Sequence, residues 1–382
     1  MERILSVNNR PDEKMENHRL EGNHVLEVNH LCTSFFTQKG EVKPVNDVSL
    51  VVPAGKIVGI VGESGCGKSM TARSVMGLLK YPGKIVSGEI LLNGRDITHL
   101  PEKDRCRIRG SQISMIFQEP MTSLNPVMKV GKQVEEALRL HEHISKKEAD
   151  RRMLEIFEAV GIPDAEKRCK AYPHQLSGGL RQRVLIAMAM ICSPDLLIAD
   201  EPTTALDVTV EAQILRLMKE LCKDGTSLLV ISHNLGVIAQ ICDYVYVMYA
   251  GRIVEQADTI TLFDRPMHPY TKGLLHAVSA LHRDQEVLDT IPGVVPNLLH
   301  LPEGCGFSPR CRECEDRCLK EQPLLTETGP GHKVRCHLCQ SAGQGKASSE
   351  PMSGGECLKD TLPAENGKTA SDSCPMKGEE RK

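Results

Sequence analysis

The chain has no tryptophan, and aromatic side chains make up only 3% of its 382 residues. So sparse a set of rings argues against a stacking platform for single-stranded nucleic acid. A basic surplus is missing too: 47 Lys and Arg stand against 50 Asp and Glu, a net charge of -3. Dedicated DNA binders carry such a surplus, so no nucleic-acid partner is expected. Long apolar runs are lacking as well. The longest, residues 184–192, stops at Ser193-Pro194-Asp195, well short of the roughly 20 residues that span a bilayer. The opening stretch MERILSVNNRPDEKMENHRL has no apolar core of a secretory signal. A cytosolic protein is therefore expected, with any membrane role arising through partners. The remaining composition, 40% hydrophobic and 25% charged, is that of a globular protein.

Cysteine is abundant, at 15 residues. Cys32, Cys66, Cys106, Cys169, Cys192, Cys222 and Cys242 are scattered, and in a reducing compartment they read as buried small hydrophobes. Six more crowd between Cys305 and Cys339, whereas Cys357 and Cys374 fall in a polar tail.

Residues 1–22 are polar and aperiodic and are expected to be a disordered extension. Over residues 25–249 short apolar runs (56–61, 196–199, 227–231 and 244–248) alternate with helical patterns (130–140, 149–160 and 210–223). Continuous apolar runs suit buried parallel strands, and strand–helix alternation predicts an α/β fold. Residues 257–340 are Pro- and Cys-rich, and residues 341–382 are too polar to offset chain entropy, so that tail is also expected to be disordered.

Gly62-Glu63-Ser64-Gly65-Cys66-Gly67-Lys68-Ser69 has the spacing G-x-x-x-x-G-K-S and sits between an apolar run and a helical pattern from Met70 onward. Glycines there let backbone N–H groups converge on phosphate oxygens, and the helix N-terminus adds positive potential. Lys68 supplies a point charge to the β- and γ-phosphates, and the Ser69 hydroxyl can ligate Mg²⁺. The run 196–199 places Asp200 and Glu201 at a strand end, where ligands bind in open α/β sheets. Asp200 would hold Mg²⁺, and Glu201 would accept a proton from the attacking water or orient it. Each feature alone could be an ordinary turn or strand end.

Leu176-Ser177-Gly178-Gly179-Leu180-Arg181-Gln182-Arg183 follows the helical region and precedes Asp200. It resembles the signature of ATP-binding-cassette ATPases, with Leu180 where Gln is usual. Further elements match that family in order: Gln118 after residues 115–117, Ala205-Leu206-Asp207, and His233 after residues 230–232. The resemblance covers about residues 25–340. It implies a P-loop nucleotide-binding domain over residues 23–256 with an inserted helical subdomain at about 120–180, ATP and Mg²⁺ as cofactors, and ATP hydrolysis. It assigns Gln118 to sensing Mg²⁺ and water and to facing the membrane partner, and His233 to the γ-phosphate. Phe36, with Phe35 as its rival, would stack on adenine. It also implies a head-to-tail pair of cassettes, in which Ser177, Gly178 and Gly179 of one chain reach the nucleotide held by residues 62–70 of the other.

Residues 111–126, 172–183, 265–271, 291–296 and 301–311 resemble the ATP-binding subunits of bacterial oligopeptide/dipeptide importers and their nickel-transporting relatives. That resemblance implies two permease subunits, a second cassette, an extracytoplasmic substrate-binding protein, and a location on the cytoplasmic face of the inner membrane. It also implies a Cys-rich C-terminal domain over residues 257–340, with Cys305, Cys311, Cys318 and Cys336 holding a [4Fe–4S] cluster. A zinc frame, Cys311-x-x-Cys314 with Cys336-x-x-Cys339, and reduced thiols without metal are the alternatives. Among other functions, a soluble cassette ATPase acting on ribosomes or DNA would carry tandem cassettes, a coiled coil or a basic patch. A regulatory subunit would show a degenerate site, whereas Lys68, Asp200, Glu201 and His233 are all present.

Overall fold

Two sheets organise the molecule, which is described by a computed structural model over residues 23–118, 123–204, 206–223, 225–280 and 291–342. The expectations for residues 1–22, for Ala205 and for the tail beyond Ala342 lie outside the described residues. All described residues fall in one compact unit.

The larger sheet is built on β3 (Ile57–Val61), β6 (Ile113–Ile116), β7 (Leu196–Asp200), β8 (Ser227–Ser232) and β9 (Tyr244–Tyr249), all parallel, in the order β9-β3-β8-β7-β6. All but β6 are the apolar runs of the sequence, and β3, β7 and β8 are buried along their whole length. Their alternate residues enter different cores: Ile57 and Val61, Leu197 and Ala199, Leu228 and Val230 pack on one side of the sheet. Val58 and Ile60, Leu196 and Ile198, Leu229 and Ile231 pack on the other. The strand period of two thus feeds both faces, each buried aliphatic side chain contributing about 1.5–3 kcal/mol.

One face is covered by the helices α3 (Val130–His141), α4 (Lys146–Ala159), α6 (Gly178–Met190), α7 (Val208–Cys222) and α8 (Leu235–Ile241); shorter α5 (Ala165–Arg168) links α4 to α6, and α2 (Glu102–Ile108) precedes β6. Helices α3, α4 and α6 pack on one another. Side-chain caps fix several helix starts: Ser145 accepts from Glu148 N–H, Ser177 from Leu180 N–H, and Asp207 from Val210 N–H.

The other face carries α1 (Lys68–Val75) and an antiparallel sheet of β1 (His24–Thr37), β2 (Gly40–Pro53), β4 (Gly83–Leu92) and short β5 (Arg95–Asp96). Strand–helix alternation did not predict this second sheet. Its β1–β2 register shifts between Val28 and Leu31, where His30 adopts a positive φ of 48°. Such irregularities interrupt the alternation by which a strand is recognised.

The Cys-rich segment extends the large sheet. After β10 (Arg252–Asp258), α9 (Thr259–Asp264) and α10 (Pro269–Ala280), the chain places α11 (Asp316–Lys320), β11 (Thr326–Gly329), β12 (His332–Val334) and α12 (His337–Ala342). Strand β12 pairs antiparallel with β10, matching Val334 to Glu255. The buried Glu255 carboxylate accepts from the His332 ring at 2.7 Å and from the backbone N–H groups of Met267 and His268. The scattered cysteines only partly match expectation: Cys66, Cys192, Cys222 and Cys242 are buried, Cys32 and Cys169 half-buried, and Cys106 exposed. Cys106 lies on α2, whose only buried residue is Ile108.

Candidate active site

Three neighbouring parallel strands deliver the chemistry at their carboxyl ends. Residues 62–67 follow β3, Asp200 ends β7 with Glu201 next, and His233 follows β8. The strand order therefore brings together residues separated by up to about 170 positions, as open α/β sheets do for their ligands.

The loop before α1 is tightly held. Gly62 and Gly67 have φ of 156° and 111°, and a Cβ on them would stand 2.1 Å from the Met248 carbonyl oxygen and 2.0 Å from that of Pro44. Side chains are therefore sterically excluded at both positions. Lys68 is buried, and its ammonium donates to the carbonyls of Gly62 at 2.7 Å and Glu63 at 3.0 Å. The Ser69 hydroxyl donates to Asp200 Oδ1 at 2.8 Å. Burial pushes the Asp200 carboxyl above its usual range against the pull of the Ser69 hydroxyl, and neighbouring Glu201 adds to the rise. Burial likewise raises the thiol of Cys66 within the loop.

Glu201 stands at a φ of 52°, a left-handed conformation that costs a non-glycine residue roughly 1–2 kcal/mol. Its nearly buried carboxylate accepts from His233 Nδ1 at 2.6 Å and from the Thr204 hydroxyl at 3.3 Å. A cleft is lined by Pro44, Ser64, Gly65, Gly67, Lys68, Ser69, Met70, Gln118 and Glu201. The glycine-lined cradle, the ammonium and the Ser69–Asp200 pair form a donor set that fits a Mg²⁺-bound triphosphate.

The signature residues are elsewhere. Ser177 and Gly178 are exposed at the N-terminus of α6, and neither they nor Gly179 line the cleft. A Cβ on Gly179 would come within 2.7 Å of Val210 Cγ1, so α6 and α7 approach closely there. Phe36 is exposed, with the Lys84 ammonium 4.6 Å from its ring centre. Phe35 instead packs against Gly83, where an added Cβ would meet its ring at 2.7 Å.

Sequence reasoning missed three residues here. Pro44 lines the cleft from β2. Tyr270 and Arg310, from the C-terminal region, touch the loop at Glu63. The Glu63 N–H donates to the Tyr270 hydroxyl oxygen at 2.8 Å, and Arg310 meets the Glu63 carboxylate at 2.6 and 3.1 Å. No local pattern links positions this far apart. Tyr270 N–H donates in turn to His268 Nδ1 at 3.0 Å. Burial keeps that imidazole neutral, its pKa pushed down to about 3.

Cys305, Cys311, Cys318 and Cys336 line one small cavity, together with His268, Phe307 and Leu338. Burial raises the Cys305 thiol and pushes that of Cys311 up to about 11. A hydrogen bond from the Cys339 thiol lowers the Cys336 thiol below its usual range. Among the described residues, no group of three or more His, Cys, Asp or Glu is arranged to hold a metal ion. Cys314, of the zinc frame, is exposed, with its sulfur 3.7 Å from the Glu315 carbonyl oxygen.

Fold and site together define a P-loop ATPase. The sequence profile of the ABC transporter family matches residues 45–204, and that of the oligopeptide/dipeptide transporter C-terminal region matches residues 254–318. The oligopeptide transport ATP-binding protein AppD of Bacillus subtilis is 50% identical over 321 residues, which is 84% of this chain and 98% of that protein. The oligopeptide transport ATP-binding protein OppD of Salmonella typhimurium is 52% identical over 315 residues, 82% of this chain and 93% of its own. Among solved structures, the ATP-binding cassette MJ0796, a dimer in a post-hydrolysis state with ADP and Pi, superposes with a TM-score of 0.56 at 26% identity. That superposition covers 61% of this chain and 98% of the cassette. The chain belongs to the ABC transporter ATPases, in the branch that carries the oligopeptide/dipeptide transporter C-terminal region. No helix among the described residues is long and apolar enough to cross a membrane.

Proposed function

We propose that the chain is the ATP-hydrolysing subunit of a membrane importer of di- and oligopeptides. The observation that carries this reading is the match to AppD over 98% of that protein's length and 84% of this chain, with the oligopeptide/dipeptide transporter C-terminal region matched as well as the cassette. Its partners would be two permease subunits, a second, related cassette and an extracytoplasmic peptide-binding protein. The chain would sit peripherally on the cytoplasmic face of the inner membrane.

In this reading residues 62–70 bind the phosphates, and Lys68 exchanges its loop carbonyls for the β- and γ-phosphate oxygens. Ser69 and Asp200 hold Mg²⁺, with Gln118 at the edge of the cleft; the ion supplies charge neutralisation to the transferring phosphoryl group. Glu201 accepts the proton of the attacking water, and His233 orients that carboxylate while reaching toward the γ-phosphate. Phe36 offers its exposed ring to adenine. The α6 terminus at Ser177, Gly178 and Gly179 offers an anion site outside its own cleft lining, suited to the nucleotide of a second cassette. The helical region at about 120–180 would receive a permease helix. Loss of the bridging γ-phosphate then releases the closed pair, the differential affinity that a ligand-driven change requires.

The cargo is tested by reconstitution. In vesicles holding the permease pair and binding protein encoded with this chain, added peptide should raise ATP hydrolysis several-fold, and Ni²⁺ should not. Stimulation by Ni²⁺ but not by peptide would move the assignment to metal uptake.

We further propose that Cys305, Cys311, Cys318 and Cys336 hold a [4Fe–4S] cluster. The support is their convergence on one cavity and the four-thiolate ligand set that such a cluster requires. The cluster would cross-link the C-terminal region. Protein purified without oxygen should absorb broadly near about 400 nm with about four irons per chain; colourless, iron-free protein overturns this.

A further inference from the structure

Glu63 puts a negative charge inside a site built for anions. It is the first variable residue of the phosphate loop, and an unpaired carboxylate there would repel a triphosphate through poorly screened surroundings. The structure gives it a dedicated counter-charge. Arg310 forms two hydrogen bonds to the Glu63 carboxylate, at 2.6 and 3.1 Å, and its side chain is only 4% exposed. Its remaining N–H groups are also committed, to the Pro292 carbonyl at 2.8 Å, the Ile291 carbonyl at 3.3 Å and the Tyr249 hydroxyl at 3.4 Å. Such a fork is fixed in place, unlike a solvated surface pair. Three of the chain's few aromatic rings close the same spot. Tyr249 lies 4.6 Å from Tyr270 and 5.2 Å from Phe307, centroid to centroid. Tyr270 accepts the Glu63 N–H.

We propose that Arg310 is a positioning residue for nucleotide binding: it neutralises Glu63 and holds that carboxylate aside, so that the Cys-rich C-terminal region completes the phosphate cradle. This rests on reading residues 62–69 as that cradle. Arg310 does not line the cleft, so its influence on ATP runs through Glu63.

Equilibrium titration of the full chain with ATP tests the assignment. Arg310→Met should weaken ATP about tenfold, the equivalent of 1.4 kcal/mol, and the deficit should shrink as salt rises. Glu63→Gln in the same background should restore affinity to within about threefold of the parent, because no carboxylate then needs cancelling. A purely structural role for Arg310 predicts no such rescue, and a double variant as weak as Arg310→Met overturns the proposal. Should Arg310→Met not fold, Arg310→Lys decides: it keeps a positive charge but loses the fork, so ATP should weaken about threefold with a deficit that shrinks as salt rises, and unchanged affinity or a salt-independent loss refutes the charge-offset role. Lys68→Ala separates the two layers. If it loses affinity while Arg310→Met does not, only the present inference fails; if Lys68→Ala binds ATP normally, the cradle reading fails with it.

Discussion

Glu201→Gln should lower ATP turnover by about 10³-fold, within the range that a positioned proton acceptor supplies, while ATP affinity stays within about threefold of the parent. The amide keeps the size and position of the carboxylate but cannot take a proton from water. Its neighbours explain why the loss should be confined to chemistry. The carboxylate is held by His233 Nδ1 and the Thr204 hydroxyl, whereas the loop N–H groups and Lys68 that would bind phosphate belong to a different strand end. Because the γ-phosphate then persists, the paired form should accumulate. Gel filtration with ATP, in the presence of the native second cassette and permease, should show the closed complex for the variant and a mixture for the parent. Hydrolysis by Glu201→Gln at the parent rate would remove Glu201 from its proposed role.

Lys68→Ala should act one step earlier and weaken ATP by about 10- to 100-fold. The figure corresponds to roughly 1.5–3 kcal/mol for hydrogen bonds from a charged donor. In the unliganded chain the ammonium ties the loop to itself through the Gly62 and Glu63 carbonyls, so some of the loss would come from a looser cradle. Thermal melts divide these effects. ATP should raise the melting temperature of the parent by linkage and leave that of Lys68→Ala nearly unmoved at the same concentration. A similar ATP-dependent rise in both proteins would show that Lys68 does not carry the binding.

The buried parallel strands were legible because their two-sided burial demands unbroken apolar runs, and β3, β7, β8 and β9 occur at the expected positions. The phosphate loop was legible for a local reason: a glycine spacing followed at once by Lys68, Ser69 and a helix. Asp200 and Glu201 were legible as a strand-end acidic pair whose expected roles came from the neighbouring phosphate loop, whereas His233 was legible only through the resemblance to a family. The antiparallel sheet was not legible, since the irregular stretch around His30 interrupts its alternation. Cys106 was misjudged because cysteine burial was inferred from residue type, and composition cannot say which face of α2 meets the core.

By itself the sequence determined the ATPase class and the chemistry available to it, because these depend on residue types at short, fixed spacings. Only the tertiary structure decided which distant residues share a site. The order β9-β3-β8-β7-β6 sets Ser69 against Asp200 and lines up the ends of β3, β7 and β8. The seating of the C-terminal region sets Arg310 on Glu63 and Tyr270 beneath the same loop. A charge pair 247 residues apart leaves no periodic trace along the chain. Electrostatic attraction depends on distance in space, and folding alone sets that distance.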